Sequence, residues 1–547
     1  MKNKILLFIL FLTSFGMNLT AQKAAKPASK PNVLFIAIDD LKPILGCYGN
    51  KLIKTPNIDR LARMGTVFGS NYCQQAVCGP TRASIMTGMR PDYTKIWDLK
   101  TKMRDMNPNI VTIPQYFISQ GYATSGVGKI YHPTCVDKKN DEPSWTVPYF
   151  KAKAKDYANG EPVQKHYQSP ELKAKELAAA TDTKDKAAKK EKDEDEDGKG
   201  QRGPASECLD LPDNAYEDGV DALIAKKQLI AFSKSNKPYF MAVGFKKPHL
   251  PFVSPKKYWD LYKREDMPLA EFQEHAKNSQ AFAYESSGEL KNYSDIPGAA
   301  TIKDQLNRIG LPKEKQQELI HAYYAAISYT DAQVGILLNT LDSLGTLDNT
   351  VIVLWGDHGW HLGDHDMWGK HTNFEQATRA PLIFAGPNLK GGQISNSMTE
   401  FVDVFPTLCD LSGLPIPTNL AGKSLKPLMQ DTKATVKTFS MSQYPRKLKK
   451  ATKSDAVKAD PELGKLMGYS MRTDKYRYTV WVNKDFRANK EPFAADRVYT
   501  TELYDYEKDP LEKVNYATDK KYTAIAKDLQ AKMEDYFKSQ LVAVKTP

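Results

Sequence analysis

The sequence predicts an α/β fold built on a doubly wound, mostly parallel sheet, followed by a smaller C-terminal α+β unit. Three observations carry the prediction. Apolar runs of strand length alternate with helix-period segments over roughly 350 residues. Those runs are continuous in Val, Ile, Leu and Phe, as in "NVLFIAI" and "NTVIVLW", which suits strands covered on both faces. From about residue 434 the pattern changes to alternating segments, "TFSMSQYP", "YSMRTDKYRYTVWV" and "TTELYDYEKDP", which suits an antiparallel sheet.

Taken in order, Lys2 and Lys4 precede the apolar run "ILLFILFLTSFGM", and small residues follow near Ala21. This is the pattern of a secretory signal peptide, residues 1–21, with cleavage near Ala21–Gln22. The run is short for a membrane span, no cysteine stands at the cleavage point to carry a lipid, and no later stretch reaches membrane-helix length. The chain is therefore expected to be exported, periplasmic or extracellular, without a membrane span. "PNVLFIAIDDLKP" is a strand ending in two aspartates. "TPNIDRLARM" has helical periodicity, and "TVF" is a short strand. "TIPQYFISQGYATSGVGKIYH" predicts a helix over 112–120, a stop at Gly121 and a strand over 122–127. "KPYFMAVGFKKPHLPF" is a strand then a loop. A long amphipathic helix, a glycine turn and another apolar strand run from "YYAAISYTDAQ" to "VIVLWGDHG".

Two stretches fit no element. Residues 150–206 are a mixed charge run with almost no apolar periodicity, expected to be a solvated insertion with a short helix near 170–180. Residues 265–315 are poorly patterned and are expected to be a second insertion. The large domain thus spans 22–433 and the C-terminal subdomain 434–547, which closes with a helix at 520–538.

Composition limits function. The chain has 547 residues, 41% hydrophobic and 26% charged, a globular balance. Net charge is +12, but 77 basic residues stand against 65 acidic ones. The excess favours polyanionic partners. No helix-turn-helix, RRM or zinc-finger pattern accompanies it, so no nucleic-acid partner is expected. Six cysteines, at 47, 73, 78, 135, 208 and 409, are too few for a disulfide scaffold of this size.

The chemistry-bearing residues gather just after predicted strands, where ligands of open α/β sheets bind. Asp39–Asp40 and Asp357–His358 each follow an apolar run. An acidic pair there caps a helix, solvates a turn, or offers hard oxygen ligands to Ca²⁺ or Mg²⁺. Lys129 and His132, Lys247 and His249, and Lys370 follow other strands. Singly, each reads as a solvated lysine or a structural histidine. Together they surround carboxylates with cations, a pocket for an anion with several oxygens. "DHGWHLGDHDMWGKH" packs His358, His361, His365 and His371 together; "HLGDH" approaches a zinc motif that requires a helix, and its glycines favour a loop. Cys78 stands in "AVCGPTR", with Arg82 four residues on. It reads as a buried thiol on a Gly-Pro turn unless the rest of the chain says otherwise.

The rest of the chain does. "C-x-P-x-R", continued as "ASIMTGMRP", resembles the signature of the formylglycine-dependent sulfatases. The blocks "TPNIDRLA", "VGKIYHP", "GFKKPHLPF", "GDHGWHLGDH", "KHTNFEQATRAPLIF" and "SQYPR…MGYSMRTDKYRYTVWV" extend the likeness over nearly the whole mature chain. Within that family the sequence resembles iduronate-2-sulfatases and their bacterial homologues. The resemblance implies an alkaline-phosphatase-like fold: a large mixed, mostly parallel sheet flanked by helices. It implies that a sulfatase-maturing enzyme, reading Pro80 and Arg82, oxidises Cys78 to formylglycine (3-oxoalanine), whose hydrate is the nucleophile. It implies a single Ca²⁺ held by Asp39, Asp40, Asp357, His358 and the oxygen of residue 78. Imidazole is a poor Ca²⁺ ligand, so His358 binds a sulfate oxygen or activates the nucleophile in the other reading. Arg82 steadies the hydrate and the metal site. Lys129, Lys247 and Lys370 hold sulfate oxygens, His132 contacts or deprotonates the hydrate, and His249 protonates the leaving alcohol. Trp360 reads as a sugar-facing wall or, equally, as a structural tryptophan, with His361 a further polar group beside it. The substrate implied is a sulfated oligosaccharide carrying a 2-O-sulfate on a terminal uronic acid, with algal uronate or galactan sulfate as the alternative. A phosphate-ester hydrolase of the same superfamily, or a silent glycan-binding protein, are the other readings. The first commonly uses Ser or Thr and two metals, and the second would have eroded the polar residues. Nothing in the sequence marks oligomeric state.

Overall fold

In a computed structural model, the residues described are 30–163, 203–235, 237–296, 309–446, 466–482 and 497–543. The signal peptide and the expected helix near 170–180 lie outside them.

The continuous apolar run at the start of the large domain becomes β1 (Asn32–Ile38). Its side chains alternate between two cores. Leu34, Ile36 and Ile38 enter one, and Val33, Phe35 and Ala37 enter the other. All six are 0% exposed, which is why the run shows no polar alternation. Seven strands form the sheet: β1, β2 (Gly65–Phe68), β3 (Ala123–Gly128), β4 (Tyr239–Phe245), β5 (Thr350–Gly356), β6 (Leu382–Ala385) and β7 (Gln393–Ser395). Their order is β7-β2-β6-β5-β1-β4-β3. β1 pairs parallel with β4 and β5, and β3 with β4. β6 alone runs against its neighbours β2 and β5. The sheet is the mixed, mostly parallel one the sequence predicts.

Helices cover both faces. α1 (Pro56–Met64), α4 (Glu217–Ser233) and the 31-residue α5 (Lys313–Ser343) pack on the Leu34 side. α2 (Cys78–Thr87), α3 (Ile113–Ser119) and α6 (Val404–Leu411) pack on the Phe35 side. α3 starts with Thr112 and Gln115 in a capping box, which satisfies two end N–H groups reciprocally.

The C-terminal strands β8 (Ser440–Arg446), β9 (Leu466–Arg472), β10 (Tyr476–Val482) and β11 (Val498–Asp505) make an antiparallel sheet in that order. One face carries Tyr469, Met471, Tyr478 and Val480 under α7 (Thr523–Ala543), through Leu529 and Met533. Leu466, Trp481 and Tyr504 pack instead with Tyr284, Met367 and Phe374. That contact backs the chain on either side of Lys370.

Candidate active site

β1 ends at Ile38, and Asp39 and Asp40 follow at its carboxyl end. Asp40 has φ 55°, a region that Asp tolerates better than most residues. It is held by neighbours: its N–H donates to Asp357 Oδ1 at 3.0 Å, and its carbonyl accepts from the Tyr323 hydroxyl at 2.5 Å. Left-handed non-glycine residues gather where function over-determines the backbone. β5, paired beside β1, delivers Asp357 and His358 in the same layer. β3 delivers Lys129 through Gly128, at φ 77°, where a Cβ would lie 2.0 Å from the Gly244 carbonyl oxygen.

Cys78 is the first residue of α2, not part of a free turn, and is 1% exposed. Pro80 is tolerated because the first helical N–H groups have no intrahelical partner. Arg82 lies one helical turn on, on the same face. Its Nη2 contacts Asp39 Oδ1 at 2.8 Å and its Nε contacts Asp357 Oδ2 at 3.0 Å. Nη1 donates to the Ile130 carbonyl at 3.1 Å and to that of Lys129. The guanidinium, 0% exposed, clamps three strand ends to the helix that carries Cys78. Removing one member of such a buried pair costs roughly 3–5 kcal/mol.

The cations close around the carboxylates. Lys129 Nζ is 2.6 Å from Asp39 Oδ2. Lys370 Nζ is 2.9 Å from Asp40 Oδ1, 3.0 Å from Oδ2 and 3.7 Å from Cys78 Sγ. His358 Nε2 is 3.4 Å from Cys78 Sγ, 3.4 Å from Asp40 Oδ1 and 3.6 Å from Asp357 Oδ1. Its Nδ1 lies 2.9 Å from the Gly359 carbonyl, which only accepts. The hydrogen therefore sits on Nδ1, and in the neutral ring Nε2 offers a lone pair toward Cys78. His249 Nε2 lies 3.7 Å from Asp40 Oδ2. Lys247 Nζ donates to the carbonyls of His249 and Pro251 at 2.9 and 2.8 Å. His132 Nδ1 lies 2.8 Å from Thr134 Oγ1.

Burial dominates the electrostatics. It pushes the Cys78 thiol well above its ordinary value, aided by the Asp39 carboxylate. It raises the Asp40 carboxyl, against the pull of His249 and Lys370. It lowers Lys247 to about 8, although Asp218 and Glu217 oppose the shift. For Arg82 burial works downward, and Asp357 and Asp39 outweigh it, so the net direction is up.

The structure thus brings Asp39, Asp40, Cys78, Arg82, Lys129, His249, Asp357, His358 and Lys370 into one buried cluster, with Lys247 tied to the His249 loop. Trp360 corrects an expectation. It is 0% exposed, packs at an edge on Phe252, and places its ring 5.2 Å from Lys370 Nζ. It supports that lysine from within the core and offers no face to a sugar. The "HLGDH" stretch is no helix: His361–Leu362 is a short strand and Asp364–Asp366 a 3-10 turn. His361 bonds Thr372 Oγ1 at 3.0 Å, burial lowers it to about 3, and neither it nor His365 joins a candidate metal cluster among the described residues.

Sequence reasoning missed Glu285 and Glu289, which come from the unpatterned stretch after 265. Glu289 lies 3.2 Å from His249 Nε2 and 3.4 Å from Lys370 Nζ. Glu285 lies 3.6 Å from His371 Nδ1. No periodicity or motif flags either residue. All six cysteines are free thiols.

Two groups of ligand atoms, Asp39–Asp40–Cys78–His249 and Cys78–Asp357–His358, each converge within 4.8 Å. Three buried carboxylates are a hard donor set that fits a divalent cation of the Ca²⁺ type. Without such an ion their mutual repulsion is met by Arg82, Lys129 and Lys370.

Comparison with known proteins follows the same outline. Residues 31–414 match the family "Sulfatase", and residues 363–539 match "N-sulphoglucosamine sulphohydrolase, C-terminal". The chain is 32% identical to the iduronate 2-sulfatase of Mus musculus, over 96% of this chain and 97% of that one. It is 33% identical to the iduronate 2-sulfatase of Homo sapiens, over 89% and 91% of the two chains. Among solved structures, a protein in complex with its substrate D-glucosamine-2-N,6-O-disulfate is similar in fold. Its TM-score is 0.65 at 21% identity, covering 93% of this chain and 99% of that one.

Proposed function

Since the chain belongs to the sulfatase family and is a sulfuric ester hydrolase, we propose that it is exported and removes the 2-O-sulfate of a terminal uronic acid from sulfated oligosaccharides. The carrying observation is the cluster of Arg82, Lys129 and Lys370 around Asp39, Asp40 and Asp357, with position 78 in its midst. The likeness to iduronate 2-sulfatases over most of both chains supports the substrate. No helix among the described residues is long and apolar enough to cross a membrane.

In this reading the Cys78 sulfur stands where the oxygens of a formylglycine hydrate belong. As a thiol, residue 78 is held protonated by burial and is a poor nucleophile. The hydrate supplies an oxygen nucleophile and a second hydroxyl that expels sulfate, splitting one displacement into two easier steps. Asp39, Asp40 and Asp357 would hold a Ca²⁺ ion, which when bound would lower the cost of negative charge at the reacting oxygens. The Lys129 and Lys370 ammoniums that now neutralise those carboxylates are then left to hold sulfate oxygens, with Lys247 as a third. His358, with its hydrogen committed to Gly359, directs its Nε2 lone pair at residue 78 and takes the nucleophile's proton. His249 protonates the leaving alcohol. Arg82 keeps α2 and the three carboxylates in register.

The test is a panel of defined oligosaccharides with free sulfate as readout. Release from 2-O-sulfated uronate-capped disaccharides, and not from 6-O-sulfated hexosamine, supports the proposal. Preference for hexosamine 6-sulfate or galactose sulfate overturns the substrate. A phosphorylated analogue cleaved in preference to its sulfated twin overturns the specificity for sulfate.

A further inference from the structure

Arg446, the last residue of β8, stands apart from other arginines that are wholly or partly buried. Arg82, Arg90, Arg472 and Arg477 each have a carboxylate oxygen at 2.5–3.0 Å. In each, burial works downward and the carboxylates outweigh it, so the guanidinium is held above its ordinary value. Arg446 makes no ion pair among the described residues, and burial carries it below its ordinary value. Its Nε is buried and has no hydrogen-bond partner. An arginine stays charged in any case, and a charge withdrawn from water without a partner is costly.

The acids that act on Arg446 from a distance, Glu285 and Glu502, are poor partners for it. Glu502 accepts from Trp481 Nε1 at 2.9 Å and from the Tyr504 hydroxyl at 3.0 Å. Burial raises Glu285 to about 7, toward the uncharged form. The guanidinium is nevertheless held in place. Its Nη2 donates to the His371 carbonyl at 2.5 Å and to the Ala283 carbonyl at 2.9 Å. It lies 4.4 Å over the ring of Tyr444, two residues back on the same strand face, and that ring stacks on His371 with centroids 5.9 Å apart.

These contacts place Arg446 at the mouth of the pocket. His371 directly follows Lys370, whose Nζ is 3.7 Å from Cys78 Sγ. Lys370 is buried, whereas His371, Tyr444 and Arg446 are each partly exposed. An inner cation beside residue 78 and an outer, unpaired one are thus joined through one step of chain. A 2-O-sulfated uronate carries two anions, and they leave the sugar ring from opposite corners. A neutral sugar sulfate carries one.

We propose that Arg446 is a specificity-determining residue that pairs with the carboxylate of the terminal uronate while Lys370 holds the sulfate at residue 78. The inference deepens the substrate reading above and rests on it. A guanidinium suits this task, because its fork matches a carboxylate and its plane rests on an aromatic ring.

The experiment measures sulfate release from a 2-O-sulfated uronate disaccharide and from its carboxyl-reduced counterpart, in which a hydroxymethyl group replaces the carboxylate. The quantity read is the ratio of kcat/KM between the two substrates on one enzyme, so any loss common to both, such as a disturbed Lys370, divides out. Wild type should favour the uronate by about 10- to 100-fold, the weight of a hydrogen bond to a charged group. In Arg446→Gln the ratio should fall to within about 3-fold of one. A ratio that survives in Arg446→Gln, or wild type that cleaves the uronate without preferring it, overturns the inference and leaves the substrate reading standing. Wild type that cleaves neither disaccharide overturns the substrate reading, and the inference with it. Should Arg446→Gln fail to fold, Arg446→Lys, which keeps the charge and loses the fork, must lower the ratio in smaller measure, and an unchanged ratio overturns the inference.

Discussion

The strand ends of the seven-stranded sheet and the stretch 264–296 both bring charge into one pocket, but their backbones are held in different ways. Asp39, Lys129 and Asp357 each follow directly on a strand whose ladder is fixed by parallel pairing. Glu285, on irregular chain, and Glu289, on a turn, are held by single anchors: a buried leucine, a serine to Trp368, an arginine from the C-terminal sheet. The first wall assembles the reacting charges. The second lies against them from outside, its carboxylates 3.2–3.6 Å from His249, Lys370 and His371. The three carboxylates and Lys129 are thus fixed at the strand ends, whereas Lys247, His249, Lys370 and the two glutamates reach the pocket from loops.

Predictions that separate the walls run from the sheet outward. Cys78→Ala should abolish turnover, a loss beyond about 1,000-fold, with thermal unfolding unchanged within a few degrees, since the thiol has no ion pair of its own. Sulfate release and circular dichroism on one preparation check both halves. Residual activity near wild type would remove residue 78's claim to the chemistry.

Exhaustive chelation should lower activity at least about 100-fold and lower Tm, with recovery of both on adding Ca²⁺. Asp39, Asp40 and Asp357 are buried together, and charge compensation there is worth several kcal/mol. Metal-free protein, verified by elemental analysis, that keeps its rate and its Tm would contradict this.

The third expectation concerns pH. Burial lowers Lys247 to about 8, so its ammonium is present below that pH and lost above it. Because kcat/KM reports ionisations of the free enzyme, it should fall about tenfold per unit once pH exceeds about 8. Lys247→Arg, which stays charged, should shift that limb upward. A limb that does not move assigns the ionisation elsewhere.

The smallest effect belongs to the second wall. Burial raises the Glu285 carboxyl from 4.5 to about 7, opposed by Arg446 and assisted by Glu289. The folded state therefore holds a proton that the unfolded state releases above pH 4.5. Stability falls as pH rises from about 4.5 to about 7, and the penalty is complete above that. Glu285→Gln, a mimic of the protonated form, should match wild type near pH 4.5 and raise Tm by about 2 °C at pH 8. Equal Tm values at both pH values would show that Glu285 carries no such penalty.

Much of the large domain was legible in the residues. "NVLFIAIDD" reads as a strand with two carboxylates at its end because burial on both faces leaves no polar alternation, and β1 with Asp39 and Asp40 is that element. The expected helix over 112–120 is Ile113–Ser119, announced by Thr112 and Gln115. The C-terminal alternation resolves into β8–β11 and α7 for the same local reason. Elsewhere local pattern misled. Cys78 on Gly-Pro reads as a turn and is the start of a helix, because proline is compatible with a first turn. Trp360, two residues beyond His358, reads as a sugar wall and is a core ring behind Lys370, because sequence proximity to a site does not say which way a ring points.

The sequence by itself determined the kind of sheet, the identity of the charged residues that end its strands, and the family whose motif surrounds Cys78. Those properties are local: periodicity, caps and short motifs are written within a few turns of chain. Tertiary structure alone decided that Arg82 bridges Asp39 and Asp357, 43 and 275 residues away, that Asp40 is turned into the left-handed region, and that Glu289 meets His249 and Lys370. Such contacts depend on distances between chain segments that share no local pattern, and a glutamate on a turn carries no mark of the imidazole it will face once the core beneath it has packed.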